Sequence, residues 1–335
     1  MKRVLFFVIG LIILCGCDSK KEINDYYIYI TDSELPTIYS LLDLVGNDSK
    51  SYIWYTDTEL IDVNYLNTDK NVKLSSYIGS FDKGIVDEIN EFIKDNKKNG
   101  RFHLVVDEKY YLLEFALDLK DNYDVKILSS GVDSYNNYYD YQFEDGYDIY
   151  KKYEEDFNKL KNDFDINKEY DHNYILISAK RDNVKYYLQY PEYLDAYDDK
   201  VKEEYKKVNF VTEDPKTIYN KLTMDMQNEL LKIIGFDKKD YDNKYFGTNK
   251  PKLVIIGGNG KYKQDGMEDI LKQVYDKYKD SYTILYKAHE DYVLKENQID
   301  YLNSLNNQFD FLKKHNLHEL YIKLNNYLNI YHKLV

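Results

Sequence analysis

Short apolar runs alternate with segments of helical period along most of the chain. Residues 26–30 (Tyr-Tyr-Ile-Tyr-Ile) read as a strand, and Leu35, Ile38, Leu41, Leu42 and Leu44 follow at the spacing of an apolar helix face. Further apolar runs predict strands at 52–55, 101–106, 125–128, 173–178, 252–257 and 282–287. The helical period predicts helices over 33–45, 84–98, 107–119, 147–163, 215–234, 265–279 and 319–331. Strands and helices alternating at this interval predict an α/β protein with parallel sheets of the doubly wound kind. At 335 residues the chain exceeds what one hydrophobic core usually serves, so two domains are expected. Lys180-Arg181-Asp182-Asn183 follows a buried-looking strand and precedes an irregular aromatic stretch, which places the boundary between residues 185 and 186. The two lobes are thus 26–185 and 186–335.

The first residues follow a different pattern. Met1-Lys2-Arg3 is basic, and Val4 to Leu14 is an apolar run shorter than the ~20 residues that a spanning helix needs. Leu14-Cys15-Gly16-Cys17 then fits a lipobox, which makes 1–17 a lipoprotein signal peptide, Cys17 the acylated residue and 18–25 a polar tether. The bland alternative is an uncleaved N-terminal anchor. Either way the domain is expected outside the cytoplasm, in the cell envelope, attached to a membrane through its lipid. Both cysteines lie in this leader, so the remainder must be held together by burial rather than by disulfides.

The formal net charge of -13 excludes nucleic acid as a partner, because phosphate backbones demand a basic surface. It leaves neutral sugars open, and an anionic donor would need a locally positive or amide-lined pocket. Ligands of doubly wound folds bind at the carboxyl ends of the strands, and three such ends carry chemistry. Ile127-Leu128 leads into Ser129-Ser130-Gly131-Val132-Asp133-Ser134, which reads either as a site with hydroxyls and one carboxylate or as a turn in which Asp133 caps a helix. Leu253 to Ile256 leads into Gly257-Gly258-Asn259-Gly260, either a phosphate cradle or a plain turn. It lacks the dinucleotide and Walker spacings. Thr283 to Tyr286 leads into Lys287-Ala288-His289, where an imidazole with a near-neutral pKa could serve as a general acid or could simply sit in a solvated turn. The histidines show no spacing with Cys or one another that would hold a metal, so no metal site is expected.

The order of these pieces resembles the bacterial sialyltransferases of glycosyltransferase family 80. "YYIYITDSELPTIYSLLDL" (26–44) is similar to the family's opening strand, acidic turn and helix, and "IYNKLTMDMQNELLKIIGF" (218–236) to a later helix. "KLVIIGG" resembles its Gly-turn strand and "YTILYKAHED" the strand carrying its Lys-Gly-His-Pro motif, collinearly from about residue 26 to 312. The resemblance implies a GT-B-like fold, two Rossmann-like lobes facing a cleft. It implies inverting, metal-independent transfer of sialic acid from CMP-sialic acid to a galactoside, with no cofactor. On this basis His289 is expected to stabilise the leaving phosphate, and Lys287, Gly257, Asn259 and Asp310 to bind the donor. The catalytic aspartate of the family aligns with Ser130, leaving Asp133 as the nearest carboxylate, and a histidine that faces the acceptor aligns with Glu108, which is expected to add a negative charge there. The family's phosphate-binding Ser-Ser pair has no match near Asn325-Asn326, and the chain stops at Val335, so the C-terminal lobe is expected to be shortened. Two readings therefore stand: a sialyltransferase-like enzyme of full or reduced activity, and an inactive surface lipoprotein of the same fold that binds glycans. A solute-binding lipoprotein is a third, which would not account for the order of the motifs.

Overall fold

Runs of β-branched and aromatic residues form the strands of this computed structural model, which describes residues 24–47, 51–56, 61, 65, 72–74, 83–98, 100–120, 122–130, 134, 146–166, 168, 170, 174–188, 199–234, 250–256, 267–287 and 310–311. Strand β1 (Asn24–Ile30) is buried from Tyr27 onward, and β2 (Tyr52–Thr56) is buried along its whole length. Such continuous burial is the mark of strands covered on both faces of a parallel sheet. Helix α1 (Glu34–Asn47) follows β1, β3 (Val72–Leu74) follows β2, and α2 (Lys83–Asn96) leads into β4 (Gly100–Asp107). A 3-10 helix (Glu108–Ala116) and β5 (Tyr123–Leu128) come next. Then follow α3 (Gly146–Asp163), α4 (Tyr174–Ser178), β6 (Val184–Tyr187), α5 (Asp199–Tyr205) and β7 (Phe210–Val211).

These seven strands make one sheet in the order β3-β2-β1-β4-β5-β6-β7, and every pairing is parallel. The chain builds outward from β1 to β3, then returns to lay β4 on the other side of β1 and continues to β7. The strand order therefore reverses between β1 and β4, and the carboxyl ends of those two strands flank the crevice where doubly wound sheets bind ligands. Gly100 opens β4 because a Cβ there would meet the Asn96 carbonyl oxygen at 2.5 Å and the Tyr26 ring at 3.0 Å.

The two faces of the sheet differ. On one, Ile28, Ile30, Ile53, Leu104, Val106 and Ile127 pack with Ile89 and Phe92 of α2, Leu112 of the 3-10 helix, Phe157 of α3 and Leu176 of α4. The other carries an aromatic row. Tyr29 lies 5.8 Å from Tyr27, 6.1 Å from Tyr52 and 5.6 Å from Trp54, between ring centroids. Trp54 Nε1 donates to the buried Thr31 hydroxyl at 3.1 Å, which satisfies its one polar atom.

Two elements of this unit differ from the expectations. Residues 173–178 were expected to form a strand, but 174–178 form helix α4, in which Ile175, Leu176, Ile177 and Ser178 are all buried. A short apolar run has no amphipathic period to separate the two alternatives. The expected helix over 107–119 is a 3-10 helix beginning at Glu108. The expected lobe boundary at 185/186 falls inside β6, and the compact unit holding this sheet runs to Thr212.

The second compact unit takes Thr37–Asn47 and the described residues from Glu213 on. The expected helix over 215–234 is broken in two, α6 (Pro215–Lys221) and α7 (Met224–Ile233). Asp214 caps the first by accepting from Thr217 N–H at 2.9 Å, and Thr223 caps the second by accepting from Met226 N–H at 3.3 Å. β8 (Lys252–Ile256), α8 (Met267–Tyr278), β9 (Thr283–Lys287) and β10 (Asp310–Phe311) complete it, with a parallel sheet ordered β10-β9-β8. The helix expected at 319–331 lies outside the described residues. Among the described residues no helix is long and apolar enough to cross a membrane.

Candidate functional site

The last residue of β4 is Asp107, fully buried at the point where the strand passes into the 3-10 helix. The first N–H groups of any helix lack intrahelical partners, and the Asp107 carboxylate accepts one of them, from Lys109, at 3.4 Å. It does more than cap. Its Oδ1 also accepts the Ser130 hydroxyl at 3.0 Å, and its Oδ2 accepts the hydroxyl of Ser33. Ser33 follows β1 and Ser130 follows β5, so three adjacent strand ends converge on one carboxylate at the switch point.

Glu108 is also buried, with 5% of its surface exposed, and turns inward. Its Oε1 accepts the Ser130 backbone N–H at 3.2 Å and the Ser134 hydroxyl at 2.9 Å, and its Oε2 accepts the Tyr186 hydroxyl of β6 at 2.9 Å. The sequence-based expectation put the Glu108 charge at the acceptor. Its oxygens are instead occupied in holding the turn after β5, and the consequence is a fixed backbone at Ser130. Ser130 itself is exposed.

Asp32, after β1, is the third carboxylate. Its side chain is 8% exposed, and its Oδ2 accepts the Tyr110 hydroxyl at 2.5 Å and pairs with the Lys109 ammonium. Its Oδ1 is buried and meets no hydrogen-bond donor among the described residues. The Lys109 ammonium thus pairs with Asp32 and acts on Asp107 only through its charge, while Glu108 adds a further negative charge beside Asp107. Burial, foremost, pushes the Asp107 carboxyl up to about 7; the Ser33 hydrogen bond and Lys109 pull it down, while the charges of Asp32 and Glu108 push it further up. A carboxyl poised near neutrality at a strand-end crevice is suited to accept and release a proton. Among the described residues no three His, Cys, Asp or Glu side chains are grouped to hold a metal ion.

Of the residues singled out from sequence, Ser130 lies at the centre of this cluster. Lys287 ends β9 and Asp310 opens β10, and the two strands are neighbours in the second sheet, with Asp310 in register with Leu285. Cys17, Asp133, Gly257, Asn259 and His289 lie outside the described residues. Asp107, Asp32, Ser33 and Lys109 were not anticipated as site residues. The signal for them is the abrupt change from the apolar run 104–106 to Asp-Glu-Lys, and the Thr-Asp-Ser that ends β1 in the same way.

No protein-family model matches the chain, and no curated protein matches it in sequence. Solved structures do. The α/β-galactoside α-2,3-sialyltransferase of the luminous marine bacterium Photobacterium phosphoreum superposes with a TM-score of 0.68 at 12% identity, over 90% of this chain and 83% of that one. A 2,6-sialyltransferase of another Photobacterium, in a ternary complex with the donor product CMP and the acceptor substrate lactose, gives 0.65 at 15% identity; the match spans 90% of this chain but only 66% of that one. The GT-B domain of the Photobacterium damselae sialyltransferase gives 0.65 at 13% identity, over 91% and 84% of the two chains. At these identities the likeness is one of fold: the chain has the α/β fold of GT-B sialyltransferases, with parallel Rossmann-like sheets.

Proposed function

We propose that this chain is a sialyltransferase-like glycosyltransferase that moves sialic acid from CMP-sialic acid to the hydroxyl of a galactoside, with inversion and without a metal. The observation that carries this reading is the fold match over 90% of the chain to sialyltransferases, one of which holds the donor product CMP and the acceptor substrate lactose. The polar cluster at the switch point supports it, because that is where an acceptor hydroxyl would need a proton acceptor. In this reading the acceptor oxygen bonds the anomeric carbon as the bond to the CMP phosphate breaks. His289 then donates a proton to the departing phosphate, and Lys287, Gly257, Asn259 and Asp310 hold the donor. The lipobox at Cys17 supports an exported protein anchored to a membrane of the cell envelope by its lipid.

A second reading rests on one feature. Ser130 stands where the resemblance expects a carboxylate, and an isolated serine hydroxyl is a poor base near neutral pH. A glycan-binding surface lipoprotein without transferase activity would fit that substitution. Asp133 is the alternative base within the enzyme reading.

Isothermal titration of the purified full-length chain with CMP, CMP-sialic acid and lactose separates these readings. The enzyme reading expects saturable binding of both CMP compounds, lost in His289→Ala, together with sialyl-lactose formation. Lactose binding without any response to CMP would favour the binding protein, and no donor binding by a folded chain would end the transferase proposal.

A further inference from the structure

We propose that Ser130 and Asp107 form a proton relay, in which the exposed Ser130 hydroxyl takes the proton of the acceptor while its own proton passes to the buried Asp107 carboxylate. The relay rests on the glycosyl-transfer reading above and names the group that would serve it as base. Neither residue could do this alone. Asp107 has no exposed surface through which to reach a substrate, and a serine without a carboxylate behind it holds its proton too tightly. Their hydrogen bond of 3.0 Å joins an exposed hydroxyl to a buried proton acceptor.

The geometry around the pair fixes its direction. Glu108 grips the Ser130 N–H at 3.2 Å, and Ser134 and Tyr186 hold Glu108 in turn, so the turn that carries the hydroxyl is pinned from below. Ser33 occupies the second oxygen of Asp107, which leaves Oδ1 for Ser130 and the weak cap contact at Lys109 N–H. The neighbouring carboxylates have no hydrogen bond to the Ser130 hydroxyl among those described. Asp32 shares one oxygen with the Tyr110 hydroxyl and the Lys109 ammonium, and Glu108 receives three donors.

The step balances. The acceptor O–H bond breaks as the oxygen forms its bond to the anomeric carbon, and that proton goes to Ser130 Oγ. The original Ser130 proton goes to Asp107 Oδ1, and the electron pair of the broken sugar–phosphate bond leaves with CMP. Solvent at the exposed hydroxyl later returns the pair to its starting state by the reverse path. The groups that face Asp107 are Asp32 and Ser33 after β1, Glu108 and Lys109 of the 3-10 helix, and Ser130 after β5. Burial and the two acidic neighbours keep its carboxyl near neutrality, so it accepts a proton readily once ionised.

A purely structural Asp107 would be a helix cap, and asparagine caps as well as aspartate does. Asp107→Asn therefore separates the two roles. The experiment follows sialyl transfer from CMP-sialic acid to lactose by the full-length chain from about pH 5 to about pH 9, with donor affinity measured by titration for every variant. The wild-type rate is expected to rise through about pH 7. Asp107→Asn and Ser130→Ala are each expected to lose roughly 10²–10⁴-fold in rate and the pH-dependent rise, with donor affinity kept. Adding Ser130→Asp to Asp107→Asn puts a carboxylate at the exposed position and is expected to restore transfer. Difference infrared titration without any donor is expected to show a protonated carboxyl band near neutral pH that Asp107→Asn removes.

Wild-type transfer and donor binding with an Asp107→Asn variant of unchanged rate and profile would overturn the relay alone, as would an Asp107 band confined to the ordinary carboxylate range. A folded wild-type chain that binds no donor would remove the transferase reading and the relay with it.

Discussion

The two ends of β4 treat charge in opposite ways. At the amino end His103 stacks on Tyr27 at 4.5 Å between ring centroids, and its two ring nitrogens meet Asp25 at 2.9 Å and Asp124 at 3.0 Å. Arg101 adds a second cation, 3.0 Å from Asp124. Burial works against the imidazolium, but the bonds to Asp124 and Asp25 outweigh it and raise the His103 pKa. Burial likewise works against the Asp124 carboxylate, and the bond to His103 outweighs it and lowers that pKa. At the carboxyl end Asp107 is raised because burial wins. One end is compensated and structural; the other is left short of positive charge and so keeps a proton acceptor near neutral pH. Glu114, in the 3-10 helix, is a buried carboxylate that does have a cation beside it. Its side chain is fully buried, yet Arg181 pairs with both of its oxygens and also lies over the rings of Phe115 and Phe157.

The strongest way to break this contrast is Asp107→Asn. Beyond the loss of transfer, it should change the pH dependence of stability. The folded pKa of Asp107, about 7, lies above its ordinary 3.8, so the folded chain holds this proton more tightly than the unfolded one. Its contribution to stability falls as pH rises through that interval, by an amount on the order of a few kcal/mol. Urea melts at the two ends of the interval should show the asparagine variant free of that fall. The next largest effect belongs to Arg181→Met, which strands the buried Glu114 carboxylate and is expected to cost about 3–5 kcal/mol in the same melts.

His103→Phe keeps the stack on Tyr27 and removes both ion pairs. Its partners are partly exposed, so the expected cost is at most about 1 kcal/mol. The sign is opposite to that of a buried carboxylate with depressed pKa. The stabilisation from His103 is fully present below its unfolded value of 6.5 and is lost as pH rises through its higher folded value, while that from Asp124 fades on the acid side as pH falls through its depressed pKa. Thermal melts across that range should therefore converge with wild type at alkaline pH. The smallest effect is expected at exposed pairs such as Lys159–Asp156, where Lys159→Ala should shift stability by under about 0.5 kcal/mol.

Much of the architecture was legible from the chain alone, for a physical reason. β1, β2, β4 and β5 are apolar runs bounded by polar turns, and α2 and α3 show a clear one-sided period. Legibility failed where elements are short or buried all round. Residues 174–178 carry no helical stripe because nearly every side is covered, and β6 is only Val-Lys-Tyr-Tyr, too short to stand out beside the polar turn before it. At the site, Ser130 could be found from the small-residue turn after β5. For Asp107 the end of the apolar run 104–106 marks the position and not the role, because its chemistry comes from burial and from hydroxyls that arrive from two other strand ends. Nothing local in Val-Val-Asp-Glu distinguishes a helix cap from a proton acceptor.

The most direct test is a crystal structure of the full-length chain with CMP and lactose bound. The account predicts a galactose hydroxyl within hydrogen-bond reach of Ser130 Oγ, about 2.6–3.2 Å, with the Ser130–Asp107 bond kept behind it. Lactose bound elsewhere, or its hydroxyl turned to a different carboxylate while Ser130 contacts only solvent, would contradict it.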